Sequence, residues 1–217
     1  MPDSSYNSQS RKRGRFTIVL FSLILAVACV AFLVTGHVRR MASNLSNVSL
    51  QRVYYAGAAN ARLADGFIQT VLAVHSSNEA ERRQHLAAIP PITAFMTESL
   101  EKFEAIPLND LEKERLNKFK AARAEYSLVR AQCFELLAKD SQQASVFLIQ
   151  KLLPLYNRYD QAGEELWSSN TVQAKGESEQ IIETASRAQL GLTVGAILAV
   201  IFGFSAGLYR IFATLEW

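Results

Sequence analysis

The residues best suited to chemistry in this chain are cations and an amide that recur at helical spacing. Val48, Arg52, Tyr55, Ala59, Arg62, Gly66, Gln69 and Ala73 follow one another at alternating steps of four and three, which is one stripe of a helix. If this stripe meets its copy across a two-fold axis, Arg62 and Gln69 are duplicated around the join. Paired guanidiniums with an amide nearby suit a carboxylate ligand, because the planar fork matches a carboxylate in bidentate geometry. Arg130 is a weaker candidate for the same role. The plainer reading of these arginines is that they are solvated, with their stems laid along the helices. Tyr126, Tyr156 and Tyr159 fall on apolar stripes and read as core residues with hydroxyls at the rim.

Catalytic patterns are missing from the sequence. There is no His-Glu-x-x-His, no Gly-rich phosphate loop after a strand and no nucleophile elbow. His37, His75 and His85 are not spaced as a ligand cluster, so neither a metal nor a cofactor is expected. Glu79, Glu81, Glu112 and Glu114 sit in first helical turns, where the helix dipole accounts for them. The net charge is +3, and Lys/Arg alternate with Asp/Glu through the middle of the chain, which argues against a nucleic-acid surface. The expectation is a protein that is not an enzyme.

Two apolar stretches frame the elements that must position these residues. Residues 16–38 run FTIVLFSLILAVACVAFLVTGHV without a charge. As a helix they reach roughly 34 Å, enough to cross a hydrocarbon core of roughly 30 Å. The run is longer than the apolar part of a secretory signal, and it continues past Cys29, where a processed lipoprotein would turn polar. An uncleaved span is therefore expected. Arg11-Lys12-Arg13-Gly14-Arg15 precedes it, and Arg39, Arg40 and Arg52 follow, so the cation bias favours an N-terminus inside the cell. A second span over residues 190–210 returns the chain, with Tyr209, Arg210 and Trp217 expected at its edge. Cys29 and Cys133 then fall in different compartments and cannot pair.

The 39–189 segment between the spans reads as four long helices. Period-two alternation is absent, while spacing by three and four recurs. The first helix is expected to continue out of the span and to pack on a seam of Leu50, Tyr54, Gly57, Ala61, Ala64, Ile68, Val71 and His75. Asn78 with Glu81, and Asn109 with Glu112, have capping-box spacing for the second and third helices. The second helix carries Leu86, Ile89, Thr93, Met96, Leu100 and Phe103, with Pro90-Pro91 forcing a kink or a short break. The third carries Phe119, Ala122, Tyr126, Val129, Cys133 and Leu136. The fourth begins near Gln142, places Ile149, Leu152, Tyr156, Tyr159, Gly163 and Leu166 on its seam, and bends at Pro154. From about Ser178 it runs without a breaker into the second span. The fold class is all-α: an antiparallel up-down-up-down four-helix bundle continuous with two transmembrane helices.

This plan resembles the four-helix-bundle sensory (ligand-binding) region of bacterial methyl-accepting chemotaxis proteins. The resemblance rests on the basic residues 1–15, the span at 16–38, the bundle, the Leu153-Pro154-Leu155-Tyr156 run and the returning span. The Ser-Asn-Glu-Ala-Glu-Arg-Arg start of the second helix agrees with it. The family's second span feeds a HAMP module and a methylated coiled-coil hairpin, whereas residues 211–217 form only a short tail here. The resemblance implies a sensory module in the inner (cytoplasmic) membrane, with both termini cytoplasmic and the bundle in the periplasm or outside the cell. It also implies a homodimer through the first bundle helix, a small acidic ligand, and a signalling partner that supplies the cytoplasmic output. The competing expectation is a structural or adaptor membrane protein whose bundle binds a protein partner without signalling of its own.

Overall fold

A computed structural model describes residues 4–215, with side chains described for residues 21, 22 and 24–205. The cations at 11–15 and the edge residues Tyr209, Arg210 and Trp217 lie outside the described side chains. The described residues are helical and include no strand. Helix α1 (Ser4–Asn44) passes through a π-helical turn, Leu45–Ser49, into α2 (Leu50–His75). Then follow α3 (Glu79–Glu104), α4 (Asp110–Leu137) and α5 (Ser141–Phe147), and a second π-helical turn, Leu148–Leu152, leads into α6 (Leu153–Leu215). Two compact units result: one takes the chain up to Ser43 and from Glu177, and the other is Asn44–Gly176.

Local side chains stop and start the bundle helices. Ser76 turns extended after α2, and its hydroxyl bonds the Leu72 carbonyl at 2.7 Å. Asn78 caps α3 by accepting from the Ala80 amide at 2.9 Å. The capping box expected there with Glu81 does not form; the acid engaged in that turn is Glu79, which pairs with Arg82 and Arg83. At α4 the box is complete: Asn109 Oδ1 accepts from the Glu112 amide, and Glu112 Oε2 accepts from the Asn109 amide. Asp140 caps α5 through the amides of Gln142 and Gln143. Joined by such short turns, neighbouring helices run antiparallel, and Asn44–Gly176 is an up-down-up-down four-helix bundle.

The prolines act differently from expectation. Pro90 and Pro91 lie inside α3, which stays one helix from Glu79 to Glu104 with no break. Both are exposed, so the amide donors they lack would have stood at the surface, where water can meet the freed carbonyls. Before Pro154 the helix opens into a π turn, and the Leu153 amide bonds the Leu148 carbonyl, five residues back. That extra residue shifts the helix phase. Leu148 and Leu152 are buried, whereas Ile149, expected on the seam, is 56% exposed.

The largest correction concerns α2. Its buried residues are Arg52, Ala56, Ala59, Leu63, Gly66, Thr70, Ala73 and Val74. The inward face is thus the expected outer stripe rotated by about one residue. The expected core seam points outward, with Leu50, Tyr54, Ala61, Ile68 and His75 exposed. The inner face works because small residues permit close helix approach and its polar side chains find partners, Arg52 Nε excepted. Thr70 donates to the Gly66 carbonyl at 2.8 Å, and Arg52 pairs with Glu112. Large apolar side chains remain on the outside of the helix.

Around that face the core collects Met96, Leu100 and Phe103 from α3, Leu116, Phe119, Tyr126 and Cys133 from α4, and Tyr159 and Leu166 from α6. Phe67 stacks on Tyr156 with ring centroids 3.8 Å apart. Gly163 permits the closest approach: a Cβ there would lie 2.3 Å from Asn60 Oδ1 and 3.1 Å from Phe119.

In the other unit, α1 and the C-terminal part of α6 are long and apolar enough to cross a membrane, with mean hydropathy of 1.6 and 1.9 over their best windows. Gly195 faces Val27, and half-buried Gly195, Ala199 and Gly203 follow at steps of four on α6. Small residues at that spacing are how spanning helices come close in lipid. Phe32, Leu33, Ile197 and Phe204 are exposed, which suits helices of this length and hydropathy.

Candidate functional site

A cleft opens on the bundle where α2, α3, α4 and α6 meet. Leu63 and Gly66 of α2, Ile92, Thr93 and Met96 of α3, Arg123, Tyr126, Ser127 and Arg130 of α4, and Tyr159 of α6 line it. It encloses about 20 Å³, room for one water-sized group. Arg123, Tyr126 and Arg130 share one face of α4 by their spacing of three and four. Arg123 donates from Nη2 to Thr97 Oγ1 at 2.6 Å. The Arg130 guanidinium lies over the Tyr126 ring, 5.4 Å from its centroid, and a Cβ on Gly66 would stand 3.8 Å from its Nη1.

The charges in this cleft are unbalanced. Arg52, Arg62, Arg82, Arg83 and Arg158 each meet a carboxylate. Among the described residues Arg123 and Arg130 meet none. Tyr126 is only 3% exposed, and its hydroxyl makes no well-formed hydrogen bond, although the Thr70 and Arg130 side chains act on it. Burial pushes the Tyr126 phenol up from its ordinary range, and the nearby Arg130 charge draws it part of the way back. Tyr159 is pushed well up, again by burial, with Arg123 acting against it. Its hydroxyl donates to the Met96 sulfur at 2.7 Å, a weak acceptor. Among the described residues the cleft therefore holds two guanidiniums without counter-ions and a buried phenol without a well-formed hydrogen bond.

The sequence-predicted residues are divided by the fold. Arg130 lines the cleft. Arg62 lies outside it, pairing with Asp65 at 2.8 Å and covering the Phe95 ring at 5.1 Å. Gln69 Oε1 is 2.8 Å from His85 Nδ1, which puts the ring proton on Nδ1 and ties α2 to α3. Arg62 and Gln69 flank the inward face of α2 and engage their own bundle.

Compared with protein families, residues 15–185 match the four-helix-bundle sensory module for signal transduction. The chain belongs to this family. No curated protein matches it.

Within this sensory module, sequence reasoning missed Arg123 and treated Tyr126 as core alone. The signal was present in the spacing of Arg123, Tyr126 and Arg130 on one helical face. Its meaning depends on which side chains oppose that face, and those come from α2, α3 and α6. Arg52 was also misplaced. It is buried and donates to Glu112 Oε1 at 2.5 Å and to the Pro107 carbonyl, joining α2 to the cap of α4. Among the described residues no cluster of His, Cys, Asp or Glu could hold a metal.

Proposed function

We propose that this chain is a membrane-anchored sensor of chemoreceptor type, with the bundle outside the cytoplasm and α1 and α6 crossing the inner membrane. The observation that carries the reading is the continuity of α6. One helix, Leu153–Leu215, bears Tyr159 in the bundle core and the apolar stretch that follows. A ligand that biases packing around Tyr159 acts on the helix that enters the membrane, and a small shift along α6 is the signal. The exposed stripe of Leu50, Tyr54, Ala61 and Ile68 supports pairing of α2 with a second copy. A signalling partner or a further cytoplasmic segment then supplies the output.

The test places this chain's sensory region in front of a chemoreceptor kinase-control segment and reads kinase activity against a panel of small organic acids. A response is expected, and Ile182→Pro is expected to abolish it while leaving ligand affinity intact. Full coupling through the proline variant, or no response to any compound, would overturn the reading. Pairing through α2 is checked by oxidising an Ile68→Cys variant in membranes, where dimer cross-links are expected.

A further inference from the structure

Dimer-seam recognition needs two copies of the chain, but the cleft described above is complete within one. We infer that it binds the carboxylate group of a small organic acid inside a single bundle. Arg123 and Arg130 act as the cationic clamp and the Tyr126 hydroxyl as a neutral donor. Three observations converge on this assignment. Both guanidiniums lie in a cleft without a carboxylate among the described residues, although other arginines of the bundle have one. The buried Tyr126 hydroxyl makes no well-formed hydrogen bond, and an acceptor in the cleft would supply one. The space holds one oxygen-sized group, with apolar Leu63, Ile92 and Met96 beside it.

A carboxylate fits this arrangement. One oxygen enters the cleft and accepts from Tyr126, while the guanidiniums take the charge from either side. Arg130 lies over the Tyr126 ring and meets no carboxylate among the described residues, so it can turn toward an anion without breaking an ion pair. Arg123 can use its other N–H groups while Nη2 stays on Thr97. The site deepens the sensory reading, since Tyr159 of α6 lines the same cleft.

The experiment uses the full chain in lipid nanodiscs. Acetate, succinate, benzoate and inorganic phosphate are titrated by calorimetry, with thermal unfolding as a second readout. At least one carboxylate is expected to bind with one site per chain. Arg123→Gln and Arg130→Gln are each expected to weaken it about tenfold or more, and Tyr126→Phe about fivefold. Arg62→Gln is expected to change affinity by less than about twofold. Circular dichroism of each variant separates lost binding from lost fold, and Arg130→Lys serves where the glutamine variant does not fold.

Binding of no carboxylate, of phosphate alone, or of one carboxylate per two chains overturns the inference. So does affinity that depends on Arg62 and is indifferent to Arg123 and Arg130. Carboxylate binding that leaves kinase output unmoved preserves the site and removes the sensory reading instead.

Discussion

Two arginine centres on the same bundle behave in opposite ways. At the end where α2 begins, Arg52 is 7% exposed and bonds Glu112 and the Pro107 carbonyl through its two terminal nitrogens, while Glu112 closes the cap of α4. In the cleft farther along α4, Arg123 and Arg130 are half-buried and have no counter-ion among the described residues. The first arrangement closes a junction between α2, the α3–α4 turn and α4. The second leaves two guanidiniums without a carboxylate among the described residues. A buried ion pair holds helices in register, whereas half-buried guanidiniums that meet no carboxylate add little to that register.

The largest expected effect comes from breaking the engaged centre. Arg52→Ala or Glu112→Ala leaves an uncompensated buried charge and is expected to cost about 3–5 kcal/mol. Denaturant unfolding of the bundle would read this as a lower midpoint. Arg52→Met with Glu112→Leu is expected to recover most of the loss, because two apolar groups need no pairing. A double variant as unstable as the singles would show that the junction depends on the hydrogen bonds to Asn109 and Pro107 rather than on the charge pair.

An intermediate effect is expected from the tyrosines near the cleft. Tyr126 and Tyr159 ionise less readily in the fold than at the ordinary value of 10.0, chiefly because they are buried. Above that pH the unfolded chain releases phenolic protons that the folded chain keeps. Their contribution is thus complete below pH 10.0 and is lost as pH rises toward the folded values. Stability should fall by up to about 1.4 kcal/mol per pH unit for each such tyrosine. Urea midpoints between neutral and strongly alkaline pH would show the slope, and Tyr126→Phe with Tyr159→Phe should flatten it.

The smallest effect sharpens the contrast. Without ligand, Arg123→Gln and Arg130→Gln are expected to change unfolding free energy by less than about 1 kcal/mol, since no ion pair is lost. Removing one of two like charges can even stabilise the bundle slightly. A loss comparable to that of Arg52→Ala would make the cleft arginines structural and abolish the distinction between the two centres.

Legibility followed how local each cause was. The Asn109–Glu112 box formed as its spacing predicted, because both partners lie within one turn. Asn78 with Glu81 had the same spacing, yet Asn78 bonded the Ala80 amide instead, and the acid engaged there is Glu79. The seams of α3 and α4 were readable because each helix has one clearly apolar face. Helix α2 has two, and periodicity cannot choose between them. Ile149 was misplaced because a π turn advances the phase before Pro154, and the sequence shows the proline without showing where the extra residue is absorbed.

Length, hydropathy and helical period by themselves determined the two apolar stretches, the four helices and the turns joining them. Those properties arise within a few residues of chain, where backbone hydrogen bonding and solvent preference act directly. Only the tertiary structure decided that Arg52 is buried on a glutamate sixty residues away, that Arg62 and Gln69 engage their own bundle, and that Arg123 and Arg130 share a cleft. The reason is that an arginine's role is set by whether a carboxylate, a carbonyl or open space stands within reach. That depends on helices brought together from distant parts of the chain.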